Sequence, residues 1–336
     1  MGPTRAVGPV AAGVPRGGPA TPRPVDLATS VGTVRLANPV MTASGTAGHG
    51  AELAGYMDLS SLGAVVVKSL SAEPWAGNPP PRVTEVDAGM LNSVGLQNPG
   101  VEAWLDDELP ALLATGARVV ASIWGFTVEG YEKAATALAG APPGVVAVEV
   151  NLSCPNIHGV ARSGEDRRAM FAHSARLTAA AVEATAGCRR PRWAKLSPNV
   201  TDVTEIAGAA LQAGAEALTL VNTVMGMAID VETRRYRLGA GGGGLSGPAI
   251  RPVAVRAVHD VCTAFPHAAV VGVGGVATGE HAVELLLAGA SAIQVGTATF
   301  ADPRAPARVL AELERWCRRH GVMSVADLVG KGRADT

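Results

Sequence analysis

A cysteine stands among amide and hydroxyl side chains directly after an apolar run, and this stretch of the chain is the best suited to chemistry. The run Val145 to Val150 is mostly apolar and β-branched, and Asn151, Ser153, Cys154 and Asn156 follow it. Such a run is typical of a strand buried on both faces, which places Cys154 at the C-terminal end of the strand. A thiolate there can accept a proton. The alternative is a small buried side chain with no part in chemistry.

Seven further strand-like runs end in groups that bind or react. The runs are Val40 to Ala43, Ala64 to Lys68, Val119 to Ile123, Trp193 to Leu196, Ala217 to Val221, Ala269 to Val273 and Ala292 to Val295. The groups at their ends are Ser44, Lys68, Ser122, Lys195, Asn222 with Thr223, Gly274 with Gly275, and Gly296 with Thr297. Eight strands that alternate with helical stretches predict an α/β fold, a (β/α)8 TIM barrel, which brings all eight strand ends to one face.

Most segments between the strands have helical periodicity. These are Glu102 to Ala114, Tyr131 to Leu138, Arg168 to Thr185 and Pro252 to Ala264, and after the last strand Pro306 to His320 and Ser324 to Val329. Asp202 and Thr278 are each predicted to cap the start of a further helix. Three other segments fit neither pattern. Glu73 to Pro99 is long enough to be an excursion that covers a site. Ile157 to Asp166 is expected to be a mobile lid, and glycine-dense Gly239 to Gly247 permits close approach to a ligand.

Composition excludes several classes of protein. The net charge is −1 and no long basic run occurs, so we expect no binding to nucleic acid or to an anionic membrane. The four cysteines are scattered without metal-ligand spacing, so we expect reduced thiols, no metal site and a cytoplasmic protein. Met1 to Pro24 is rich in Gly, Pro and Ala and is predicted to be a disordered arm, followed by one catalytic barrel domain over residues 25–336.

The last two strands and two lysines indicate a phosphorylated cofactor. Loops after strands seven and eight of a barrel frequently bind phosphate through backbone N–H groups, and here both are glycine turns. Lys68 and Lys195 at strand ends suit an electron-rich ring and an anionic substrate, although a snorkelling lysine or a tight turn without ligand is the alternative. No G-x-G-x-x-G lies between a predicted strand and a helix with an acidic residue at the right distance, which disfavours a Rossmann dinucleotide site. Flavin mononucleotide (FMN) needs one phosphate site only.

Over Val25 to Val329 the chain resembles the class 1 dihydroorotate dehydrogenases, and most of all the class 1B catalytic subunit. The stretches that carry the resemblance are Asn38-Pro39-Val40, Ala43-Ser44-Gly45, Gly77-Asn78-Pro79 with Pro81-Arg82, Gly89-Met90-Leu91-Asn92, Gly95-Leu96-Gln97-Asn98-Pro99-Gly100, Asn151-Leu152-Ser153-Cys154-Pro155-Asn156, Lys195-Leu196-Ser197-Pro198-Asn199-Val200-Thr201-Asp202, Asn222-Thr223, Gly243-Gly244-Leu245-Ser246-Gly247-Pro248-Ala249-Ile250, Gly274-Gly275-Val276 and Val295-Gly296-Thr297-Ala298. Together they form a specific set.

The resemblance implies FMN-dependent oxidation of dihydroorotate to orotate in pyrimidine biosynthesis. It makes Cys154 the base that takes the C5 proton, while hydride passes from C6 to flavin N5. It implies FMN contacts from Ser44, Lys68, Ser69, Ser122, Asn151, Lys195, Val221, Gly247, Gly274, Gly275, Gly296 and Thr297. It implies substrate contacts from Lys68, Asn92, Ser93, Val94, Gly95, Leu96, Asn151, Asn222 and Thr223.

The chain departs from the family pattern at the end of its third strand. The family usually has an asparagine there, whereas this chain has Ser122, followed by bulky Trp124 and Phe126. A shorter polar arm beside an indole would reshape the pocket, so oxidation of another dihydropyrimidine such as dihydrouracil, or of a ring from specialised metabolism, is an open alternative. A catalytically idle FMN-binding barrel is a second alternative.

The resemblance also implies partners. Class 1B enzymes pass electrons to a subunit that carries FAD and an iron–sulfur cluster, and a homodimeric core is expected.

Overall fold

The computed structural model of the chain describes residues 2, 24–153 and 171–332. Nearly all of the predicted N-terminal arm lies outside the described residues, and so do Cys154 and the predicted lid, Ile157 to Asp166.

The strands of the described residues form four sheets: an eight-stranded barrel, a four-stranded sheet and two two-stranded hairpins. In chain order the strands are β1 (Thr29–Val31), β2 (Val34–Leu36), β3 (Val40–Thr42), β4 (Val65–Val66), β5 (Val83–Val86), β6 (Gly89–Asn92), β7 (Val119–Ile123), β8 (Val145–Asn151), β9 (Arg192–Lys195), β10 (Ala217–Leu220), β11 (Val224–Met227), β12 (Ile229–Asp230), β13 (Arg235–Tyr236), β14 (Gly242–Ser246), β15 (Ala269–Val273) and β16 (Ala292–Val295).

Eight of these strands form a parallel barrel in the order β3-β16-β15-β10-β9-β8-β7-β4. The seam between β3 and β4 is closed by a parallel bridge between Met41 and Ala64. The Thr42 hydroxyl completes this seam, since it accepts from the backbone N–H of Val66 at 2.8 Å and donates to the carbonyl of the same residue at 3.2 Å. The prediction of a (β/α)8 barrel built on these eight runs is confirmed.

Helices cover the outside of the barrel. They are α1 (Val101–Ala103), which continues through a π-helical turn into α2 (Leu109–Ala114), then α3 (Val128–Ala137), α4 (Ala175–Ala184), α5 (Val203–Gln212), α6 (Arg251–Ala264), α7 (Gly279–Ala288), α8 (Ala298–Ala301) and α9 (Ala305–Arg319). The side chains of Asp202 and Thr278 accept backbone N–H groups at the starts of α5 and α7, as the sequence predicts.

Two predicted helices differ from the structure. The helix predicted from Arg168 begins only at Ala175, because the Ser174 hydroxyl caps it by accepting from the backbone N–H of Leu177. The predicted helix over Ser324 to Val329 is a single 3₁₀ turn, Val325–Leu328.

A hairpin closes the N-terminal end of the barrel. Strands β1 and β2 pair antiparallel, and Val31 and Leu36 are fully buried against inward-facing residues of the barrel, among them Met41 and Trp193. This hairpin was not among the predicted elements. This end of the barrel is filled by apolar side chains. The polar strand ends lie at the opposite end.

The predicted excursion contributes strands β5 and β6 to a second sheet, of order β11-β14-β6-β5, which borders the C-terminal end of the barrel. Its strand β14 lies within the glycine-dense segment Gly239 to Gly247, for which the sequence predicts close approach to a ligand. These glycines permit close approach to protein: a Cβ on Gly243 would lie 2.4 Å from the Asn92 carbonyl oxygen, and one on Gly244 would lie 2.0 Å from the Thr223 hydroxyl. Gly247, at the end of the segment, lines the cavity at the C-terminal end of the barrel.

Candidate active site

A cavity of about 340 Å³ opens at the C-terminal ends of the barrel strands. It is within the usual size range of small-molecule sites. Most residues predicted from the sequence line it: Ser44, Lys68, Ser69, Asn92, Val94, Gly95, Leu96, Asn151, Lys195, Val221, Asn222, Thr223, Gly247, Gly274, Gly275, Gly296 and Thr297. The barrel therefore brings together groups that are spread over roughly 250 residues of sequence.

Two lysines give the cavity its positive charge. Lys195 ends β9 and is almost completely buried; its ammonium donates to the Ser44 hydroxyl at 3.0 Å. Lys68 follows β4 and is partly exposed. Burial lowers the pKa of Lys68, and the nearby guanidinium of Arg82 lowers it further. Both lysines face the cavity, which suits an anionic or electron-rich ligand.

A buried network of amides and hydroxyls crosses the floor of the cavity. The Asn151 amide donates to the Ser69 hydroxyl at 3.0 Å, and that hydroxyl is 2.8 Å from the Ser122 hydroxyl. The Asn222 side-chain amide donates to the Ser153 hydroxyl at 2.9 Å and lies 3.4 Å from the side-chain oxygen Oδ1 of Asn151. These contacts orient both asparagine side chains before a ligand enters.

The polar turn of the excursion lies over the same cavity. Gly95 has φ +72°, and a Cβ there would lie 2.5 Å from the side chain of Asn78, so the turn requires glycine. The indole of Trp75 donates to the Gly95 carbonyl at 2.9 Å. Trp75 also packs edge-on against Trp124 and Phe126, with ring centroids 6.5 and 4.9 Å away. The bulky residues after the third barrel strand therefore support this turn from behind.

Two glycine turns end β15 and β16. Gly274 and Gly275 have φ +135° and +74°, and Cβ atoms there would lie 2.7 Å from the Ala254 side chain and 2.6 Å from the Arg251 side chain. These turns therefore pack directly on the start of α6. The Thr297 hydroxyl donates to the Ser246 hydroxyl at 2.8 Å, which joins the last turn to the end of β14.

Two described residues that were predicted as ligand contacts, Ser93 and Ser122, do not line the cavity. Ser93 is fully buried and accepts from the Asn78 amide, and Ser122 is fully buried behind Ser69. Their assignment as ligand contacts stays a prediction. Cys154 lies outside the described residues, directly after Ser153.

Several residues that support the site from behind were not among the predicted site residues. Arg82 donates to the carbonyls of Asn78 and Ala76 and to the side chain of Gln97, and thereby ties the excursion together. Glu149 and Gln294 lie inside the barrel beneath Lys195. A charged residue within an otherwise apolar strand was the available signal for Glu149.

The lowered pKa of His49 makes the free energy of unfolding depend on pH. Burial and the charge of Lys68 lower the pKa of His49 from 6.5 to about 4, and Glu52 opposes this shift. Between these two pH values the unfolded chain takes up a proton that the folded chain does not, so the free energy of unfolding falls as the pH falls from 6.5 to 4. Above pH 6.5 His49 is neutral in both the folded and the unfolded chain, so it does not change the free energy of unfolding with pH.

We therefore expect His49→Gln to lose less stability than the parent between these pH values, by about 1–2 kcal/mol once solvent screening of a half-buried group is allowed for. Urea denaturation at a series of pH values measures the difference. Parallel acid losses in the two proteins would show that His49 is not the group responsible.

No helix in residues 24–153 or 171–332 is long and apolar enough to cross a membrane. In the same ranges, no three or more His, Cys, Asp and Glu side chains cluster in a way that would hold a metal ion.

The fold and the cavity define a (β/α)8-barrel enzyme whose active site is formed by the C-terminal ends of the strands. The family model of dihydroorotate dehydrogenase matches residues 26–316. The chain is 50% identical to the "Dihydroorotate dehydrogenase B (NAD(+)), catalytic subunit" of Desulforudis audaxviator, across 91% of this chain and 97% of that relative.

Two further relatives agree. The chain is 49% identical to the "Putative dihydroorotate dehydrogenase A (fumarate)" of Solibacter usitatus, across 90% of this chain and 97% of that relative. It is 45% identical to the B-type catalytic subunit of Geobacter sulfurreducens, across 91% and 97%. The chain belongs to the dihydroorotate dehydrogenase family. It is accordingly an oxidoreductase, and enzymes of this family use a flavin.

Proposed function

We propose that the chain binds FMN in the cavity and oxidises dihydroorotate to orotate in pyrimidine biosynthesis. The observation that carries this proposal is the single cavity in which two lysines, three asparagines and two glycine turns meet, in a chain of this family. Each of these groups has a counterpart in the ligands: a carboxylate, ring amides, a flavin ring and a phosphate.

The lining residues fit FMN on physical grounds. Gly274, Gly275, Gly296 and Thr297 offer backbone N–H groups at the ends of the last two strands, where barrels commonly hold a phosphate. At the other side, Lys195 is held by Ser44 with its ammonium facing the cavity, and a buried ammonium there favours negative charge on a bound ring. When bound, FMN supplies the acceptor for the hydride from C6 of the substrate.

The substrate is held by residues from the excursion and from the strand ends. Lys68 is the partner for the carboxylate, and Asn92, Asn151 and Asn222 present amides for the ring. The hydrogen bonds that fix Asn151 and Asn222 reduce the ordering cost when the ring binds. Cys154 follows this network in sequence and takes the C5 proton, in keeping with the family resemblance.

Electron transfer out of the flavin involves a further partner in this proposal. Two of the relatives described above are named as catalytic subunits of B-type, NAD(+)-linked enzymes, and a third is named as an A-type, fumarate-linked enzyme. The two B-type names favour a separate electron-transfer subunit, which we expect to carry FAD and an iron–sulfur cluster. A homodimeric core and a cytoplasmic location remain predictions.

The test is to mix purified protein with dihydroorotate without oxygen in a stopped-flow instrument. We expect a yellow protein that releases FMN on denaturation, and rapid loss of flavin absorbance on mixing. A flavin that dihydroorotate leaves oxidised, while dihydrouracil reduces it, would reassign the substrate and leave the cofactor in place. A protein that is reduced by neither ligand, yet binds FMN, would favour an idle barrel.

A further inference from the structure

The middle of the barrel contains a polar layer beneath the cavity. Alternate residues of β8 point inward, so Glu149 lies one step below Asn151, which lines the cavity. Thr219 and Gln294 occupy similar positions on β10 and β16. All three are fully buried, with 0% of each residue exposed. The barrel interior near its N-terminal end is apolar instead, so the polar layer is confined to the part next to the cavity.

Glu149 contacts two groups, and one of them is the lysine of the cavity. One carboxylate oxygen accepts from the Gln294 amide at 2.8 Å. The other lies 3.5 Å from the ammonium of Lys195. The same ammonium donates to Ser44 at the cavity wall. Lys195 is thus held between a carboxylate below and a hydroxyl at its side.

A role in stability alone does not account for this arrangement. A carboxylate in a barrel interior is costly to desolvate, and apolar residues of similar volume often replace buried ion pairs with no loss of stability. The pair therefore has its clearest effect on the lysine: it restrains the position of the ammonium, and it adds a negative charge close to the cavity that Lys195 faces.

We propose that Glu149, oriented by Gln294, is a positioning residue that holds Lys195 at the floor of the cavity, offsets part of its charge, and so sets the reduction potential of the bound flavin. This inference rests on the proposed binding of FMN. Reduction places negative charge on the flavin ring, which Lys195 stabilises and which the Glu149 carboxylate opposes, because the interaction is poorly screened in a buried site. Removal of that carboxylate makes the flavin easier to reduce.

The test compares three variants with the parent by anaerobic redox titration of the FMN-loaded proteins. Glu149→Gln keeps the shape and removes the charge, and we expect it to raise the equilibrium constant for two-electron reduction at least tenfold, which is about 30 mV for a two-electron couple. Glu149→Asp keeps the charge and shortens the side chain, so its potential should stay closer to that of the parent. Thr219→Val is the matched control in the same layer, and it should leave the potential unchanged.

Several outcomes would overturn the inference. A Glu149→Gln potential equal to that of the parent would do so, and so would equal shifts in the Gln and Asp variants, since packing and not charge would then be responsible. A parent protein that binds no FMN would overturn both this inference and the proposed function. If the parent binds FMN and the reduction potential of Glu149→Gln equals that of the parent, this inference alone is overturned.

A second measurement on FMN-free protein covers the case in which Glu149→Gln folds poorly. Loss of one partner leaves an uncompensated buried charge, which is strongly destabilising, whereas removal of both partners is not. We therefore expect Glu149→Gln combined with Lys195→Met to resist urea better than Glu149→Gln alone. A double variant that is no more stable than the single variant would show that the two side chains are not coupled.

Discussion

Cys154→Ser is expected to slow flavin reduction by dihydroorotate about 10²–10⁴-fold at neutral pH, the usual contribution of a positioned general base. The reason is that a serine hydroxyl is a far weaker base than a thiolate. Binding of FMN and of orotate should persist, because the lysines, asparagines and glycine turns of the cavity are unchanged. Anaerobic stopped-flow measures the reduction rate, and titration of the flavin absorbance with orotate measures binding.

A matched control is the same exchange at a thiol away from the cavity. Cys262 lies on α6, and burial raises its pKa from 9.0 to about 11, so it holds little thiolate at neutral pH. In Cys262→Ser, dihydroorotate should reduce the flavin at the same rate as in the parent. If Cys154→Ser also kept the parental rate, Cys154 would be excluded as the base, and another group near Ser153 would have to take the proton.

The barrel was predictable because its strands are continuous apolar runs that end in polar residues or glycines. Three of the eight predicted strands, Val119–Ile123, Ala269–Val273 and Ala292–Val295, match the structure at both ends, and the run Val145 to Val150 ends one residue before the strand does. Runs of β-branched residues bounded in this way have few other ways to bury both faces. The predicted site then followed from topology, since a closed parallel barrel places every strand end on one face.

The second sheet was not predictable from local pattern. Strand β14 pairs with β6 about 150 residues earlier in the chain, and its sequence, Gly242–Ser246, is dominated by glycine. Glycine disfavours a strand by propensity, and here it is required only because the Asn92 carbonyl and the Thr223 side chain approach so closely. Such a requirement becomes visible only when distant segments have met.

The support of the site was hidden for a similar reason. The sequence places Ser122 at a strand end, and its contact with a ligand stays a prediction. The structure shows the Ser69 hydroxyl between Ser122 and Asn151. A shorter side chain than the family's asparagine is thus accommodated by a second hydroxyl. The pairing of Glu149 with Lys195 joins neighbouring strands β8 and β9, and nothing in the sequence around either residue indicates it.

Lys68→Met is expected to weaken orotate binding about 10–100-fold, because a hydrogen bond to a charged partner is worth roughly 1.5–3 kcal/mol. The loss should be specific for the carboxylate. Uracil has the same ring without that group, so its weaker binding should change little. Titration of the flavin absorbance with each ligand gives the two dissociation constants. Lys133→Met is the matched control, since this lysine lies on the surface of α3 with most of its side chain exposed.

The pH dependence of the same titration gives an independent check. Burial and the charge of Arg82 lower the pKa of Lys68 below 10.5, so the parent loses this positive charge at a lower pH than an ordinary lysine does. Orotate affinity of the parent should therefore fall as the pH rises into the alkaline range, whereas Lys68→Met should show no such fall from this group. Equal losses for orotate and uracil in the variant would mean that Lys68 supports the shape of the cavity and does not bind the carboxylate. A substrate without a carboxylate would then become the better match to this site.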